Sequence, residues 1–200
     1  MKTLTKCLFI FLAALALNTN QLKAEPGEFH FGIDGGFTYA DMKAEETAQE
    51  IANLSGSTVT YTYDEATWAG RIYGGYGVAD NMDLEVGFWL TGSLDATYTI
   101  GANSASESYD MSAFDVSLKY DVAGTPFFAK GGVHQSTLNG AATITIGGTE
   151  YDIADSITGT GWLIGGGMEI DNSRYGLTYI ANVGGDSDSS TAFAYYGMKF

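Results

Sequence analysis

The chain is short of cysteine, proline and basic residues. Its 200 residues include 1 Cys, 2 Pro and 9 Lys plus Arg, against 24 Asp plus Glu, for a formal charge of −15. One cysteine cannot form an internal disulfide or a multi-thiolate zinc site. The acidic surplus repels phosphate backbones, which excludes nucleic acid as a partner. A hydrophobic content of 45% excludes a disordered chain. Glycine (27 residues) and aromatic residues (14%) are abundant, and the fold of the chain must account for both.

The N-terminus has the pattern of an export signal. Lys2 and Lys6 flank the start of residues 7–17, a run of eleven apolar residues. A membrane-spanning helix needs about 20 apolar residues, whereas a signal peptide has a shorter apolar segment. Ala24 is a suitable residue before the cleavage point, although the small residues at 14–16 are an alternative. We predict a signal peptide at 1–24 and one barrel domain at 25–200.

Removal of residues 1–24 makes the chain more acidic. Lys2, Lys6 and Lys23 leave and no acid does, so the mature chain keeps six bases and 24 acids, a formal charge of −18. It also loses Cys7, its sole cysteine. An exported protein without cysteine must be held together without disulfides.

Alternation of apolar and polar residues dominates the mature sequence. No segment approaches eighteen consecutive apolar residues, which excludes a bundle of transmembrane helices. Period-two alternation indicates strands with two unlike faces. The eight alternating segments are residues 29–39, 68–78, 84–100, 114–120, 127–133, 162–170, 175–183 and 192–200.

Short and long connections alternate between these segments. The short ones are 79–82, 121–126 and 171–174; the long ones lie near 41–66, 95–112, 136–160 and 184–191. Aromatic residues gather near both ends of the segments, as at two bilayer interfaces. The sequence therefore predicts an all-β fold: an eight-stranded antiparallel up-and-down transmembrane β-barrel with short periplasmic turns and long extracellular loops. The alternative is a soluble lipocalin-like barrel, with its apolar face turned inward.

The last residues carry a resemblance to a known group. Residues 196–200 are Tyr-Gly-Met-Lys-Phe, and they carry the resemblance together with segments 81–88 and 126–132. The sequence resembles the small eight-stranded outer-membrane proteins: the OmpA transmembrane domain, OmpX and the opacity proteins. The resemblance implies an outer-membrane location, contact with the lipid bilayer and lipopolysaccharide, and a monomer. It also implies that Tyr196, Met198 and Phe200 form a C-terminal assembly signal for the outer-membrane insertion machinery.

Charged residues fall on the polar faces of the predicted strands. Eight strands enclose an interior that side chains fill, so charges there must pair, because an unpaired buried ion costs several kcal/mol. We expect Glu85 to pair with Lys119 or Lys130, and Glu169 with Arg71. The network acts as a structural plug or, if the pairs exchange, as a gated narrow channel. The predicted lumen ion-pair network comprises Arg71, Glu85, Asp115, Lys119, Lys130 and Glu169.

Chemistry beyond this network is sparse, and we predict no catalytic residue, cofactor or metal site. His134 and Ser136 are spaced like the His-x-Ser pair of lipid A deacylases, with Glu150 or Asp152 as the orienting acid. The predicted register turns His134 inward, however, away from lipid. The loop at 184–188 has the composition of a weak calcium ligand or a solvated tip.

The acidic outer segments suggest a function at the cell surface. Residues 44–54 lack strand alternation and contain good helix formers, which is typical of a short helix, here in the first outer loop. The alternation at 94–100 and 142–146 predicts strands that project beyond the bilayer. Projecting strand edges can pair with a foreign strand. We therefore expect a non-enzymatic surface protein, either a structural component or an adhesin-like scaffold that binds a host ligand through its acidic loops. The alternatives are a small-solute channel and a lipid A deacylase.

Overall fold

The computed structural model describes residues 26–40, 43–185 and 189–200. The predicted signal peptide at 1–24 and the loop tip at 186–188 lie outside the described residues, and cleavage after Ala24 stays a prediction. The strands are β1 (Phe29–Ala40), β2 (Thr60–Tyr63), β3 (Ala66–Ala79), β4 (Met82–Thr91), β5 (Leu94–Ile100), β6 (Asn103–Asp121), β7 (Phe127–Ile146), β8 (Thr149–Ile170), β9 (Ser173–Ala181) and β10 (Ser190–Lys199). An α-helix, α1 (Ala44–Ser55), follows β1, and a short 3₁₀ turn covers Val183–Gly185.

Eight of these strands close into a ring in the order β1, β3, β4, β6, β7, β8, β9, β10, and every pair is antiparallel. The closing pair is β10 with β1. Its ladder extends to the last residue, because the Phe31 and Phe200 N–H groups donate to each other's carbonyl oxygens at 3.1 and 2.7 Å. The predicted eight-stranded antiparallel up-and-down barrel is confirmed.

The turns at one end of the barrel are tight. β3 joins β4 through residues 80–81, and β8 joins β9 through residues 171–172. Asn81 and Asp171 adopt left-handed backbone angles, with φ of 64° and 54°. Asn and Asp tolerate this region better than other non-glycine residues, which explains why they stand at these two turns.

The outer end differs only in part from the sequence prediction. The strands expected at 94–100 and 142–146 are present, but the rest of residues 95–112 and 136–160, expected as long loops, is mostly strand as well. β5 pairs with the first part of β6, and β7 and β8 form one hairpin up to a turn at Gly147 and Gly148. Their Thr, Ser, Ala and Ile residues continue the alternation of the barrel strands, so the ladders continue too. The strands β2, β5, β6, β7 and β8 thus build a sheet that projects beyond the ring, which we call the projecting sheet.

The expected single ladder at 84–100 breaks at Gly92 and Ser93. From Leu90 to Leu94 the chain advances four residues, while their partners on β6, Ser112 and Tyr109, are three apart. The additional residue is a bulge that inverts the faces. Leu90 therefore points outward and is exposed, whereas Leu94 points inward and is buried.

Helix α1 covers the inverted face of β5. Ala44 and Ala48 of the helix pack with Ala96 and Tyr98 of the strand. The helix ends at Gly56, whose φ of 64° lets its N–H donate to the Ala52 carbonyl at 2.9 Å. The predicted helix at 44–54 is confirmed, and this packing stabilises a segment that is marginal alone.

Apolar side chains cover the outside of the barrel. Phe29, Phe31 and Phe37 are exposed, while their neighbours His30 and Asp34 are buried. The same division holds around the ring, where the interior holds all the buried charges together with a cluster of buried aromatic and aliphatic side chains such as Trp89 and Phe193. So large an exposed apolar surface requires lipid rather than water, and the soluble lipocalin-like alternative is wrong. Neither described helix has the length and hydropathy needed to cross a membrane.

Candidate functional site: the barrel lumen and the projecting sheet

Arg71 on β3 is the centre of the lumen network. Its Nε and Nη2 donate to the two carboxylate oxygens of Asp115 on β6 at 2.9 and 2.8 Å. Its Nη1 lies 3.0 Å from Glu85 on β4 and 3.5 Å from Asp34 on β1. The side chains of all four residues are at most 1% exposed. The planar guanidinium thus links four strands of the ring.

Glu85 lies between two guanidinium groups. Arg174, on β9 across the lumen, donates from Nη1 to Glu85 Oε1 at 2.9 Å, while Arg71 donates to Oε2 at 3.0 Å. Trp89, four residues farther along β4, donates its indole N–H to Asp115 at 2.5 Å. Because both oxygens of Glu85 are occupied by cations, its charge is compensated although no part of it reaches water.

A second cluster lies closer to the short turns. Lys119 Nζ is 2.8 Å from Glu169, 3.1 Å from Asp121 and 3.2 Å from Asp83. Glu169 Oε1 is also 3.7 Å from Arg174 Nε, which connects this cluster to the first. Lys119 is fully buried, but Glu169 and Asp121 are 19% and 34% exposed. The second cluster therefore has contact with solvent, which the first lacks.

The pairing expected from the sequence differs from the one observed. Glu85 pairs with two arginines rather than with Lys119 or Lys130, and Glu169 pairs with Lys119 rather than with Arg71. Pairing depends on the height of each side chain along the barrel axis. Strand register sets that height, and it places Glu169 near Lys119, at the short-turn end.

The predicted network lacked Asp34, Asp83 and Asp121, which the structure adds, and it lacked one central cation, Arg174. Arg174 was assigned to the turn at 171–174, whereas β9 already begins at Ser173. Its parity with Thr178 and Ile180, which are also buried, identifies it as an inward-facing residue. Extending the alternation of β9 backward by two positions would have found it.

Lys130 has aromatic rather than ionic neighbours. Among the described residues its Nζ has no hydrogen-bond acceptor, and it lies over the rings of Trp89 and Tyr195 at 5.5 and 5.3 Å. Arg174 likewise lies 4.6 Å from the centroid of the Phe128 ring. Cation–π attraction is strongest where water is absent, so the aromatic side chains stabilise the lumen cations.

The lumen holds nearly all of the positive charge. Of the six described bases, Lys43 alone lies outside it. The surface that the described residues present to water is therefore acidic, while the lumen charges nearly balance. The five buried bases are Arg71, Lys119, Lys130, Arg174 and Lys199, and the acids that face them are Asp34, Asp83, Glu85, Asp115 and Glu169.

The His134 and Ser136 side chains both contribute to packing inside the barrel. His134 Nε2 donates to the Ala181 carbonyl at 2.8 Å, and Ser136 Oγ accepts from the Gly184 N–H at 2.9 Å. Both residues are buried on the lumen side, away from lipid. Asp152 accepts instead from Thr143 at 2.7 Å, near the tip of the projecting sheet. This geometry provides no histidine–serine pair for deacylation of a lipid.

The three residues of the predicted assembly signal share the outward face at the short-turn end. Tyr196 is exposed and packs against Tyr175, with ring centroids 5.1 Å apart. Met198 and Phe200 are partly exposed beside it. Recognition of these residues by the insertion machinery stays a prediction.

Comparison with known proteins adds evidence at the level of the fold. No protein-family model and no curated protein matches the sequence. Among solved structures, Ail, the attachment invasion locus protein of Yersinia pestis, is similar with a TM-score of 0.52 and 10% identity, over 88% of this chain and 99% of that chain. OprG from Pseudomonas aeruginosa matches with a TM-score of 0.48 and 12% identity, over 88% and 97% of the two chains.

This chain has the fold of the small eight-stranded outer-membrane β-barrels. The resemblance noted from its sequence is thereby confirmed. In an outer-membrane barrel of this size the interior is filled by side chains, as the lumen network fills it here. At an identity of 10%, the similarity to Ail is evidence for the fold alone. The function must be argued from this chain's own residues.

Proposed function

We propose that the chain is a non-enzymatic surface protein of the bacterial outer membrane, exported by its signal peptide, whose projecting sheet is an adhesin-like binding scaffold. The observation that carries this proposal is the open edge of β8. β7 pairs with all but the last two residues of β8, from Met168 to Thr149. β9 pairs only with residues 162–170 of β8. In the described part of the chain, residues 149–161 therefore have a strand neighbour on one side only.

The open edge is protected only in part. Natural edge strands carry charged residues, above all lysine, carry proline, or are covered. Residues 149–161 contain acids but neither lysine nor proline, the 3₁₀ turn packs near Ile157 and Gly159, and residues 149–158 are exposed without interruption. Tyr151, Ile153 and Ile157 add exposed apolar side chains on one face. An extended segment of another protein can extend the sheet here by main-chain hydrogen bonds, with pockets for alternate side chains.

The charge of the β8 edge determines which kind of polypeptide segment can bind there. Glu150, Asp152 and Asp155 make the edge acidic, and among the described residues the cations lie inside the lumen except for Lys43. Ail has been crystallised in complex with the heparin analogue sucrose octasulfate. A sulfated sugar would meet like charge on this chain. We therefore propose an extended polypeptide with alternating basic and aliphatic residues as the partner.

Strand addition can be measured with a defined peptide. A labelled ten-residue peptide of alternating Ile and Lys should bind the barrel in lipid nanodiscs, and its fluorescence anisotropy should fall as salt is added, because screening weakens the charge contacts. The double variant Tyr151→Lys, Ile153→Lys places positive charge on the edge and should weaken binding at least tenfold.

Two controls separate edge binding from general attraction. The double variant Thr62→Lys, Tyr63→Lys adds the same two charges to exposed positions of β2, the four-residue strand at the opposite edge of the projecting sheet, and should leave binding unchanged. Sucrose octasulfate immobilised on beads should not retain the protein. Equal peptide binding by the β8 double variant and the unchanged chain would contradict the proposal.

We also expect the barrel to conduct poorly, which distinguishes a scaffold from a channel. Arg71, Glu85 and Arg174 are each at most 1% exposed, so water does not reach the level of the first cluster in the lumen. Planar bilayers containing the protein should show no stable conductance steps, and liposomes should not swell in a sugar solution. The preparation must show heat-modifiable migration on a gel, which verifies the folded barrel. Rapid sugar uptake would support the small-solute channel instead.

A further inference from the structure

The outer mouth of the barrel contains a cavity of about 330 Å³. It lies between the start of α1 and the outer ends of β1, β4, β6 and β10, so the helix covers one side of it. Leu94, Met111, Leu138 and Val183 form an apolar wall. A cavity of this size that is mostly apolar, with few polar groups, is typical of a site for a small molecule.

Three of the hydroxyl groups around the cavity, those of Thr38, Thr91 and Thr191, are engaged within the protein. Thr191 donates to the Tyr39 carbonyl at 2.8 Å and lies 2.5 Å from the Thr38 hydroxyl. Thr91 accepts from the Met111 N–H at 2.8 Å. These groups therefore hold the mouth of the barrel together and leave recognition of a ligand to the charged residues.

Glu107 is the carboxylate on the inner face of the cavity. Opposite it in the ladder is Ala96, whose side chain is buried beneath α1. The Tyr109 phenol donates to Glu107 Oε2 at 2.6 Å. Burial, together with the hydrogen bond and the charge of Glu107, raises the pKa of Tyr98 and of Tyr109 to about 12. The hydrogen bond from the Tyr109 phenol thus orients the Glu107 carboxylate.

The other charged residues near the cavity have different positions. Asp110 has the opposite parity on β6, and its carboxylate accepts from Asn139 at 2.8 Å on the outer face. Lys43 also lines the cavity, at its exposed rim, and has an interaction of its own. Outside the lumen, Lys43 is the one described base among many acids. The field at the mouth thus attracts cations and disfavours anions.

We infer that this cavity binds a small amphipathic amine, with its apolar body against Leu94, Met111 and Leu138 and its ammonium group on Glu107. The inference is independent of the open β8 edge, which lies farther out on the projecting sheet. An ammonium group forms a charge-assisted hydrogen bond with a carboxylate, and such bonds are about twice as strong as neutral ones.

Methyl NMR gives a local readout of this site. Phenethylamine is the probe, and the protein carries ¹³C-methyl methionine in lipid nanodiscs. Met111 lines the cavity, while Met82, Met168 and Met198 lie at the short-turn end and serve as internal controls. We expect a saturable shift of the Met111 methyl, with the methyls of Met82, Met168 and Met198 unchanged. 2-Phenylethanol, which lacks the charge, should bind about tenfold more weakly or worse.

Two variants and one control make the result decisive. Glu107→Gln should weaken phenethylamine at least tenfold, and Leu138→Trp, which fills the cavity, should abolish the Met111 shift. Asp152→Asn removes a carboxylate from the same sheet away from the cavity and should change nothing. The inference is overturned if the Met111 methyl does not shift, if the alcohol binds as well as the amine, or if Glu107→Gln binds like the unchanged chain.

Discussion

Replacing Glu85 with alanine should destabilise the barrel by about 3–5 kcal/mol, because it leaves buried cations without their partner. Arg174 loses its nearest carboxylate, at 2.9 Å, and keeps Glu169 at 3.7 Å. Arg71 loses one contact but retains both oxygens of Asp115. Neither arginine can turn toward water, since both are at most 1% exposed. Urea unfolding in lipid vesicles, followed by heat-modifiable migration, measures the loss.

Glu169→Ala is the matched control for this experiment. Glu169 also pairs with Lys119, at 2.8 Å, but it is 19% exposed and Lys119 keeps Asp83 and Asp121. The loss should therefore be clearly smaller than for Glu85. If the two substitutions cost the same, the lumen network does not depend on the central position of Glu85.

Gly36→Ala should destabilise the barrel by about 1–3 kcal/mol, whereas Gly35→Ala should be nearly neutral. A methyl group on Gly36 would collide with the Ala194 carbonyl and the Tyr195 Cα of β10. These are backbone atoms at the seam that closes the ring, so no rotamer change relieves the clash. A methyl group on Gly35 meets nothing within 4 Å.

The same unfolding assay compares the two glycine variants. The two variants lie at adjacent positions of one strand and add the same methyl group. Intrinsic strand propensity therefore does not distinguish them. Equal stability of Gly35→Ala and Gly36→Ala would contradict the close approach of β1 and β10 at the seam. A lower yield of folded barrel for Gly36→Ala alone would agree with it.

Much of the architecture follows from local pattern. Alternation along each segment predicted which residues face lipid and which face the lumen, since a strand turns successive side chains to opposite sides. The number of strands followed from the same alternation. The helix after β1 followed from the lack of alternation there and from its helix-forming residues. Arg174 was missed for a local reason as well, because a turn was extended two residues too far.

The ion pairs were beyond such reasoning. Parity assigns Glu85 and Arg71 to the interior, but their contact depends on the stagger of β3 and β4, which closure of the ring imposes. Lys119 and Glu169 meet across 50 residues of chain for the same reason. Heights along the barrel axis are a property of all eight strands together and leave no mark on one segment.

Glycine, aromatic residues and the one-sided charge are now assigned to places in the molecule. The alternation of apolar and polar residues was sufficient to predict a barrel with an apolar outer surface and charged residues inside, because the period of a strand is a local property. Contacts between distant strands set everything else: the bulge at Gly92 and Ser93, the open edge of β8 and the cavity beside Glu107. Each of these arises where one strand ends before its neighbour or moves out of register with it, and strand lengths become meaningful only when the strands lie side by side.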